Sequence, residues 1–284
     1  MPQLITAALV VLTLTACQAG SATGQEVDPS ADVADTAAVT LPPTSGVFDY
    51  QLGAAYELDG GLDVVVRDAT AEPAAGAYNI CYVNGFQTQP GDADFWLDEH
   101  EDLLLHDASG DLVIDPEWPD EYILDPSTEA KRDGILDVLG SVITGCSADG
   151  FDGVEIDNFD TWTRFPDPGT GLIEQEDAFA LASSYIELAH DAGLAIGQKN
   201  AAEVTVDGEA LGFDFAVTEE CSVWNECAAY TDVYKEHVLQ IEYIEELEGG
   251  FDAVCDDPDR APLTILRDTM LVGPGDQGYT YDQC

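Results

Sequence analysis

The sequence has very few basic residues. Lysine and arginine together number 8 among 284 residues, against 57 aspartates and glutamates, and the formal net charge is −49 at pH 7. Proteins that bind DNA or RNA neutralise phosphates with clustered basic side chains, so nucleic acid is excluded as a partner. Two explanations of the acidity remain, adaptation to salt and attraction of a cationic substrate. The spread of acids along the whole chain favours the first.

Motifs for common cofactors and metals are also missing. No G-x-G-x-x-G follows a predicted strand, which argues against dinucleotide binding. The cysteines form no C-x-x-C pair and no histidine cluster accompanies them, which argues against a metal site. We therefore expect neither a cofactor nor a metal.

The apolar run at the N-terminus, residues 4–16, is too short for a membrane-spanning helix of about 20 residues. It ends in the letters LTAC, which resemble a bacterial lipobox, although the usual basic residues before the run are absent. This pattern predicts a signal peptide over residues 1–17, lipidation of Cys17 and export to the cell surface. Plain secretion is the alternative.

The rest of the chain divides into a tether and one folded domain. Residues 18–43 are rich in Ala, Thr, Ser, Asp and Pro, which is typical of a flexible linker. Residues 44–284 suit one α/β barrel of about 250 residues, although two smaller domains would also fit the length. We expect a monomer that touches a membrane only through its lipid anchor.

Six cysteines remain when Cys17 is set aside, and an even number in an exported protein predicts three disulfides. The sequence does not fix their connectivity. Proximity favours Cys221–Cys227, and a Cys255–Cys284 bond would hold the C-terminal tail. Cys81–Cys146 is then the remaining pair.

Strand and helix patterns alternate through the folded domain, which predicts a parallel (β/α)8 TIM-type barrel of the α/β class. A doubly wound open sheet is the alternative. Helices are expected over residues 92–105, 128–144 and 175–192. Strands are expected over 47–52, 62–67, 77–83, 111–114, 153–156, 194–198, 213–218 and 238–241, with 263–267 as a further strand outside the barrel.

Residues 151–160 (FDGVEIDNFD) form the stretch around which the chemistry is organised. Strand periodicity places Val154 and Ile156 on one face and Glu155 and Asp157 on the other. Packing alone would not select two carboxylates there, because a buried, unpaired carboxylate costs several kcal/mol or loses its charge. The stretch is therefore either a solvated acidic turn or the end of an active-site strand.

Polar residues recur where the predicted strands end, which is where barrel enzymes build their sites. This recurrence in most of the strands favours a catalytic barrel over a series of capping residues. The residues are Gln51, Asp68, Tyr82, Asp157, Asn158, Lys199, Asn200, Glu219, Glu242 and Tyr243.

Carboxylates and aromatic residues without a cofactor motif suit glycoside hydrolysis, in which one carboxylic acid protonates the leaving oxygen. The second carboxylate acts as nucleophile or activates water. Tryptophans are candidates for stacking on sugar rings, although burial in the core explains each of them equally well. They are Trp96, Trp118, Trp162 and Trp224.

Four segments together resemble glycoside hydrolase family 114, which contains the endo-α-1,4-polygalactosaminidases. In chain order they are FDGVEIDNFD, GLAIGQKNA, FDFAVTEEC and VLQIEY, and the FDYQLG and ICYVNG segments match the opening strands. The resemblance implies a barrel that hydrolyses α-1,4-linked galactosamine-containing polysaccharide, a cationic amino-sugar polymer. It also implies Asp157 as nucleophile and Glu219 as acid/base, with exchanged roles as the alternative. The same resemblance implies sugar contacts from Asp68, Tyr82, Glu155, Asn158, Asp160, Lys199, Asn200, Glu242 and Tyr243.

The chain departs from the family pattern in two places. Glu220 stands where the family usually has glutamine, which makes it a competing catalytic candidate. Residues 92–126 are acidic and unlike the family norm, so the substrate preference stays open. A non-catalytic carbohydrate-binding lipoprotein is the main alternative function. A calcium-dependent adhesin is a weaker one, because residues 157–160 and 107–111 lack the full EF-hand spacing.

Overall fold

The computed structural model of the protein describes residues 39–169 and 171–284. The expected signal peptide over residues 1–17, the lipidation of Cys17 and most of the expected tether lie outside the described residues. No helix of the described part is both long enough and apolar enough to cross a membrane.

Eight parallel strands form the central sheet, and each pairs with the next one along the chain. They are β1 (Phe48–Gln51), β2 (Val64–Asp68), β3 (Tyr78–Asn84), β4 (Gly153–Asp157), β5 (Ala195–Lys199), β6 (Phe215–Glu219), β7 (Val238–Tyr243) and β8 (Leu263–Arg267). A short strand, β9 (Tyr281–Gln283), pairs antiparallel with β8. The strand order never reverses, as it would in a doubly wound sheet, so the predicted barrel is confirmed.

Helices cover the outside of the sheet from β3 onward, whereas the segments after β1 and β2 are loops. They are α1 (Ala93–Glu99), α2 (Glu129–Asp149), α3 (Thr161–Arg164), α4 (Gln175–Asp191), α5 (Thr205–Leu211), α6 (Cys221–Trp224), α7 (Cys227–Tyr234) and α8 (Phe251–Cys255). Short 3-10 turns lie at Glu101–Leu103 and Ala202–Val204.

The longest helix, α2, has a clear start and stop signal. The Thr128 hydroxyl accepts a hydrogen bond from the Lys131 N–H at 3.3 Å, and this satisfies a free N–H of the first turn. Gly150 ends the helix in the left-handed conformation with φ of 97°, which glycine adopts at little cost. A side-chain cap therefore fixes the start of α2, and a left-handed glycine fixes its end.

Two strand predictions are wrong. Residues 111–114 are not a barrel strand; they form isolated bridges in the long segment after β3, where Ile114 pairs with Tyr122. The eighth barrel strand is instead Leu263–Arg267, which was predicted to lie outside the barrel. It is buried along its whole length and pairs in parallel with β7, so that a short apolar run closes the sheet.

Side chains alternate between the barrel interior and the layer beneath the helices. On β7, Leu239 and Ile241 pack in the interior, whereas Val238 packs under the helices. The same alternation turns Glu155 and Asp157 of β4 toward the interior, as the sequence pattern predicted. Acidic groups therefore end up inside the barrel near the carboxyl ends of its strands.

The C-terminal segment fastens β8 to β1. Arg267 at the end of β8 is completely buried and donates to Asp49 Oδ1 at 2.5 Å and to the Tyr50 carbonyl. On β9, Tyr281 donates to the Phe48 carbonyl at 2.9 Å. These contacts join the two ends of the sheet.

All three disulfides join the expected pairs. Cys221–Cys227 closes a loop at the start of α6, and Cys81–Cys146 links β3 to α2. Cys255–Cys284 attaches the last residue to the end of α8. Structural disulfides of this kind are typical of exported proteins.

Candidate active site

Lys199 lies at the centre of the candidate site, at the end of β5, with only 1 % of its surface exposed. Its Nζ is 3.1 Å from Glu155 Oε1, 3.1 Å from Asp157 Oδ1 and 3.0 Å from Glu219 Oε2. Burial alone would lower the pKa of Lys199, but the three carboxylates raise it well above its ordinary value. A buried ammonium group therefore holds three acids from β4 and β6 together.

Asp157, the last residue of β4, is held as a carboxylate. Its Oδ1 accepts the N–H of Asn158 at 2.8 Å as well as the Lys199 ammonium, and its Oδ2 accepts the Tyr82 hydroxyl at 2.5 Å. Burial pushes the pKa of Asp157 up, but Lys199 and these hydrogen bonds outweigh it, and the net shift is downward.

Glu219, the last residue of β6, faces Asp157 across the ammonium group. Tyr243 donates its hydroxyl to Glu219 Oε1, and the Asn200 amide lies 3.5 Å from Oε2. Asn200 Oδ1 in turn accepts the backbone N–H of Glu219 at 2.9 Å, which fixes the end of the strand. Both oxygens of the carboxylate therefore have defined partners.

Glu155 lies one layer deeper in the barrel and is completely buried. Its Oε1 accepts the hydroxyl of Tyr50 at 2.8 Å and contacts Lys199, whereas its Oε2 has no partner among the described residues. Burial raises the pKa of Glu155 to about 7. Sequence reasoning missed Tyr50, although alternation from Phe48 in the interior would have placed it there.

Three consecutive barrel strands end in the same backbone feature. The residue after each strand adopts positive φ: Asn158 with 63°, Asn200 with 49° and Glu220 with 59°. Asparagine tolerates this left-handed conformation better than most residues, whereas glutamate does not. Uncommon backbone conformations cluster at functional sites. Here each one follows a residue of the lysine-centred cluster, which consists of Lys199, Glu155, Asp157 and Glu219.

A second polar network borders Asp157. Asn158 donates to Asn84 Oδ1 at 2.8 Å and accepts from Arg164 at 2.7 Å, while Asn84 and Gln87 donate to Glu121 at 2.9 and 2.8 Å. Burial raises the pKa of Glu121 to about 7 despite these two hydrogen bonds. Sequence reasoning missed this network. Asn84 at the end of β3 carried a positional signal, but Arg164 and Glu121 lie outside the barrel strands.

Three predicted sugar-contacting residues lie outside the lysine-centred cluster. Asp68 at the end of β2 accepts from Thr70 and from Gln89, and Asp160 lies 3.8 Å from the Arg164 guanidinium. Glu242 lies on the outer face of β7, completely buried. It is therefore placed beneath α6 rather than in the barrel interior.

Glu242 and two cysteines are spaced closely enough to be considered as ligands of a metal ion. One ligand atom each of Cys221, Cys227 and Glu242 lie within 4.8 Å of one another. The two sulfur atoms are joined in a disulfide and are not available as thiolate ligands. The carboxylate instead accepts the Ser222 N–H at 3.0 Å.

The four tryptophans divide into two kinds. Trp96 is 2 % exposed, and Trp162 packs against Phe159, so both belong to the core. Trp118 is 43 % exposed and Trp224 is 69 % exposed. These two lie on segments that follow β3 and β6 and expose their rings to solvent.

Exposure separates the three carboxylates around Lys199. The side chains of Asp157 and Glu219 are 17 % and 25 % exposed, whereas Glu155 is fully buried. Since the lysine ammonium is 3.1 Å from Asp157 Oδ1 and 3.0 Å from Glu219 Oε2, these oxygens are at most about 6 Å apart. Such a pair suits acid–base and nucleophilic chemistry at one bond.

Comparisons with known proteins agree with this barrel. A solved structure of Ega3 from Aspergillus fumigatus, in complex with galactosamine, has a TM-score of 0.67 and 20 % identity, covering 87 % of this chain and 98 % of that one. The glycoside hydrolase domain of PelA from Pseudomonas aeruginosa has a TM-score of 0.56 and 14 % identity, covering 82 % and 99 %. A search of the curated proteins finds no significant match.

The family assignment rests on the sequence match. The model of glycoside-hydrolase family GH114 matches residues 29–284, which include every barrel strand and the carboxylate cluster. The chain is therefore a glycoside hydrolase that belongs to family GH114.

Proposed function

We propose that the protein is an endo-acting hydrolase of α-1,4-linked galactosamine-containing polysaccharide, with Asp157 as nucleophile and Glu219 as acid/base. One observation carries the assignment of the pair. Of the three carboxylates that contact Lys199, Asp157 and Glu219 are the two that reach solvent. The downward shift in the pKa of Asp157 keeps this group ionised, as a nucleophile requires.

The separation of the two carboxylates supports a retaining mechanism. Asp157 Oδ1 and Glu219 Oε2, which are 3.1 and 3.0 Å from the same ammonium nitrogen, lie within about 6 Å of each other. Retaining enzymes have carboxyl groups about 5–5.5 Å apart, and inverting enzymes about 6.5–9.5 Å. Asp157 attacks the anomeric carbon while Glu219 protonates the leaving oxygen. Glu219 then takes a proton from water, which displaces Asp157 and releases the sugar.

The substrate class rests on family membership and charge. Family GH114 covers the barrel, and the related Ega3 structure contains galactosamine. A net charge of −49 attracts a polymer that carries free amino groups. We propose that Tyr82, Tyr243, Asn158, Asp160 and Asp68 contact the sugars around the opening.

The three disulfides support an exported enzyme, which would meet a polysaccharide outside the cell. We propose a lipid anchor at Cys17, which would hold the barrel at the cell surface. Globomycin, an inhibitor of lipoprotein signal cleavage, should then change the mobility of the wild-type protein and leave the Cys17→Ala variant unchanged.

The deciding experiment measures soluble oligosaccharides released from partly deacetylated α-1,4-galactosaminan. Wild type is compared with Asp157→Asn and Glu219→Gln, with exposed Asp133→Asn as a charge-matched control on α2. We expect release by wild type and the control, and a loss of more than about 10³-fold in both site variants. Binding without release by the wild type would support the non-catalytic carbohydrate-binding protein instead.

A further inference from the structure

Arg164 lies close to the proposed nucleophile Asp157 without contacting it. It is the last residue of α3 and stands six residues beyond Asn158, which follows Asp157 in the chain. Among the described residues, its guanidinium group makes no hydrogen bond or ion pair with Asp157. A hydrogen-bonded effect of Arg164 on the nucleophile must therefore pass through an intermediate residue.

The chain folds back after β4, so that Arg164 returns to Asn158. The Thr161 N–H donates to the Asn158 carbonyl at 3.2 Å, which closes the turn. Phe159 is completely buried and packs against Trp162, which anchors the loop in the core. The guanidinium group then donates to Asn158 Oδ1 at 2.7 Å. These contacts hold the end of α3 against the end of β4.

The guanidinium group of Arg164 is divided between one carboxylate and two amide oxygens. Nη1 donates to Asp115 Oδ2 at 2.8 Å, and Nη2 donates to Gln87 Oε1 at 2.8 Å and to Asn158 Oδ1 at 2.7 Å. Asp115 and Gln87 are both buried. Arginine–carboxylate pairs are frequently bidentate, with two nitrogens on one carboxylate. Here the second terminal nitrogen binds amide oxygens instead, so Arg164 holds Asn158 as well as Asp115.

Asn158 is held at both ends of its side-chain amide. Its Oδ1 accepts from Arg164, and its Nδ2 donates to Asn84 Oδ1 at 2.8 Å. Its φ is 63°, and in this conformation its N–H donates to Asp157 Oδ1 at 2.8 Å. Left-handed backbone conformations are uncommon outside glycine and persist where the surroundings fix them. The contacts of the amide therefore stabilise the backbone that directs this N–H at the nucleophile.

The N–H of Asn158 is one of three donors that fix the Asp157 carboxylate. The other two are Lys199 Nζ at 3.1 Å from Oδ1 and the Tyr82 hydroxyl at 2.5 Å from Oδ2. The N–H is the only backbone donor of the three, so its direction depends on the conformation of Asn158 alone. A small misplacement of a reacting group can cost about 100-fold in rate. The aim of Asp157 is therefore sensitive to how Asn158 is held.

We propose that Arg164 is a positioning residue for Asp157, which acts through Asn158 and keeps the nucleophile aimed at the anomeric carbon. This inference rests on the proposed function. Asp115, in the long segment after β3, orients Arg164 in turn. A purely structural link between α3 and that segment would stabilise the fold but leave the turnover of folded enzyme unchanged.

The test compares wild type, Arg164→Met, Asn158→Gly and the double variant on partly deacetylated α-1,4-galactosaminan. Glycine keeps the left-handed conformation and the N–H but removes the amide that Arg164 holds. We expect Arg164→Met to lower kcat per folded molecule by about 10–100-fold, with KM within about twofold of wild type. In the Asn158→Gly background the same substitution should change kcat by less than about twofold, because the two residues act as one unit.

Arg132→Met is the matched control. Arg132 on α2 also joins two segments through an ion pair, to Asp177 at 3.1 Å, and its side chain is 20 % exposed against 33 % for Arg164. It contacts no residue of the lysine-centred cluster, so kcat should stay within about twofold of wild type. Urea unfolding gives the folded fraction of each variant and separates stability from turnover.

Arg164→Lys guards against misfolding of the methionine variant. Lysine keeps the charge beside Asp115, but its single nitrogen cannot occupy both positions of the guanidinium fork. We therefore expect Arg164→Lys to fold and to lose about tenfold in kcat. Wild-type turnover in this variant would overturn the inference, because charge alone would then be sufficient.

The remaining outcomes separate this inference from the proposed function. If wild type releases no oligosaccharide, the proposed function fails and this inference falls with it. If wild type is active and folded Arg164→Met keeps its kcat, this inference alone is overturned. An equal loss from Arg164→Met with and without the Asn158 amide would show that Arg164 does not act through Asn158, and would overturn it as well.

Discussion

Two buried cations at the ends of barrel strands differ in the number of carboxylates that contact them. Arg267 on β8 donates to Asp49 at 2.5 Å, lies 3.9 Å from Asp268 Oδ2, and donates to backbone carbonyls, including those of Val272 and Thr280 at 3.1 Å. Lys199 on β5 contacts three carboxylates and the Tyr50 hydroxyl. Arg267 therefore has one carboxylate in direct contact and a second 3.9 Å away, whereas Lys199 has three carboxylates at 3.0–3.1 Å and the larger excess of negative charge.

This difference separates a structural role from a chemical one. An arginine keeps its charge, and Arg267 uses it in an ion pair with Asp49 and in hydrogen bonds to three backbone carbonyls, so it serves as a structural link between β8 and β1. Three acids around one ammonium interact strongly, so their protonation is coupled. The pKa of Asp157 falls and that of Glu155 rises to about 7 within the same cluster. Two carboxylates that share one ammonium group therefore favour different protonation states, which has no counterpart at Arg267.

Of the changes that test this comparison, Lys199→Met is expected to have the largest effect. Loss of the ammonium group removes the main influence that lowers the pKa of Asp157, so burial and the nearby acids would then favour its protonated form. We expect kcat to fall by about 10²–10³-fold, the range found when one preorganised charged or polar group is removed. The measurement is oligosaccharide release at several pH values. Unchanged activity would contradict the central place given to Lys199.

Arg267→Met is expected to act on stability instead. Removing one partner of a buried ion pair leaves Asp49 uncompensated and costs about 3–5 kcal/mol of unfolding free energy. Activity per folded molecule should stay within about twofold, because Arg267 contacts none of the lysine-centred carboxylates. Urea unfolding combined with active-fraction assays separates the two effects. A large loss of kcat in the folded protein would show that Arg267, like Lys199, contributes to activity.

The convergence of Asp157, Lys199 and Glu219 could be predicted from the sequence. Each ends a strand of a parallel barrel, and the carboxyl ends of such strands meet on one face. Asn158 and Asn200 added a further signal, because asparagine tolerates the left-handed turn that follows each strand. Local pattern and topology were sufficient here.

Other features depend on contacts that local pattern does not encode. Residues 111–114 and 263–267 are both short apolar runs, and pairing with β7 decides that the second is the barrel strand. The family resemblance implied a sugar contact for Glu242, and the strand was predicted to end just before it, at Ile241. The strand continues to Tyr243, and alternation then turns Glu242 outward. The Arg164–Glu121 network joins separate loops, so no spacing in the sequence predicts it.

The smallest effect is a pH dependence assigned to Glu155. Its pKa rises from about 4.5 in the unfolded chain to about 7 in the fold, so between these values the unfolded state releases a proton that the folded state keeps. Stability therefore falls as pH rises through this window, by an amount on the order of 3 kcal/mol.

Glu155→Gln cannot titrate, so its melting temperature relative to wild type should rise between pH 5 and pH 8. Glu187→Gln on the surface of α4 serves as the control and should track wild type at both values. A constant difference between Glu155→Gln and wild type would mean that Lys199 keeps Glu155 ionised throughout. The ammonium would then be shared equally by three carboxylates, and the lysine cluster would differ from the Arg267 site in charge count alone.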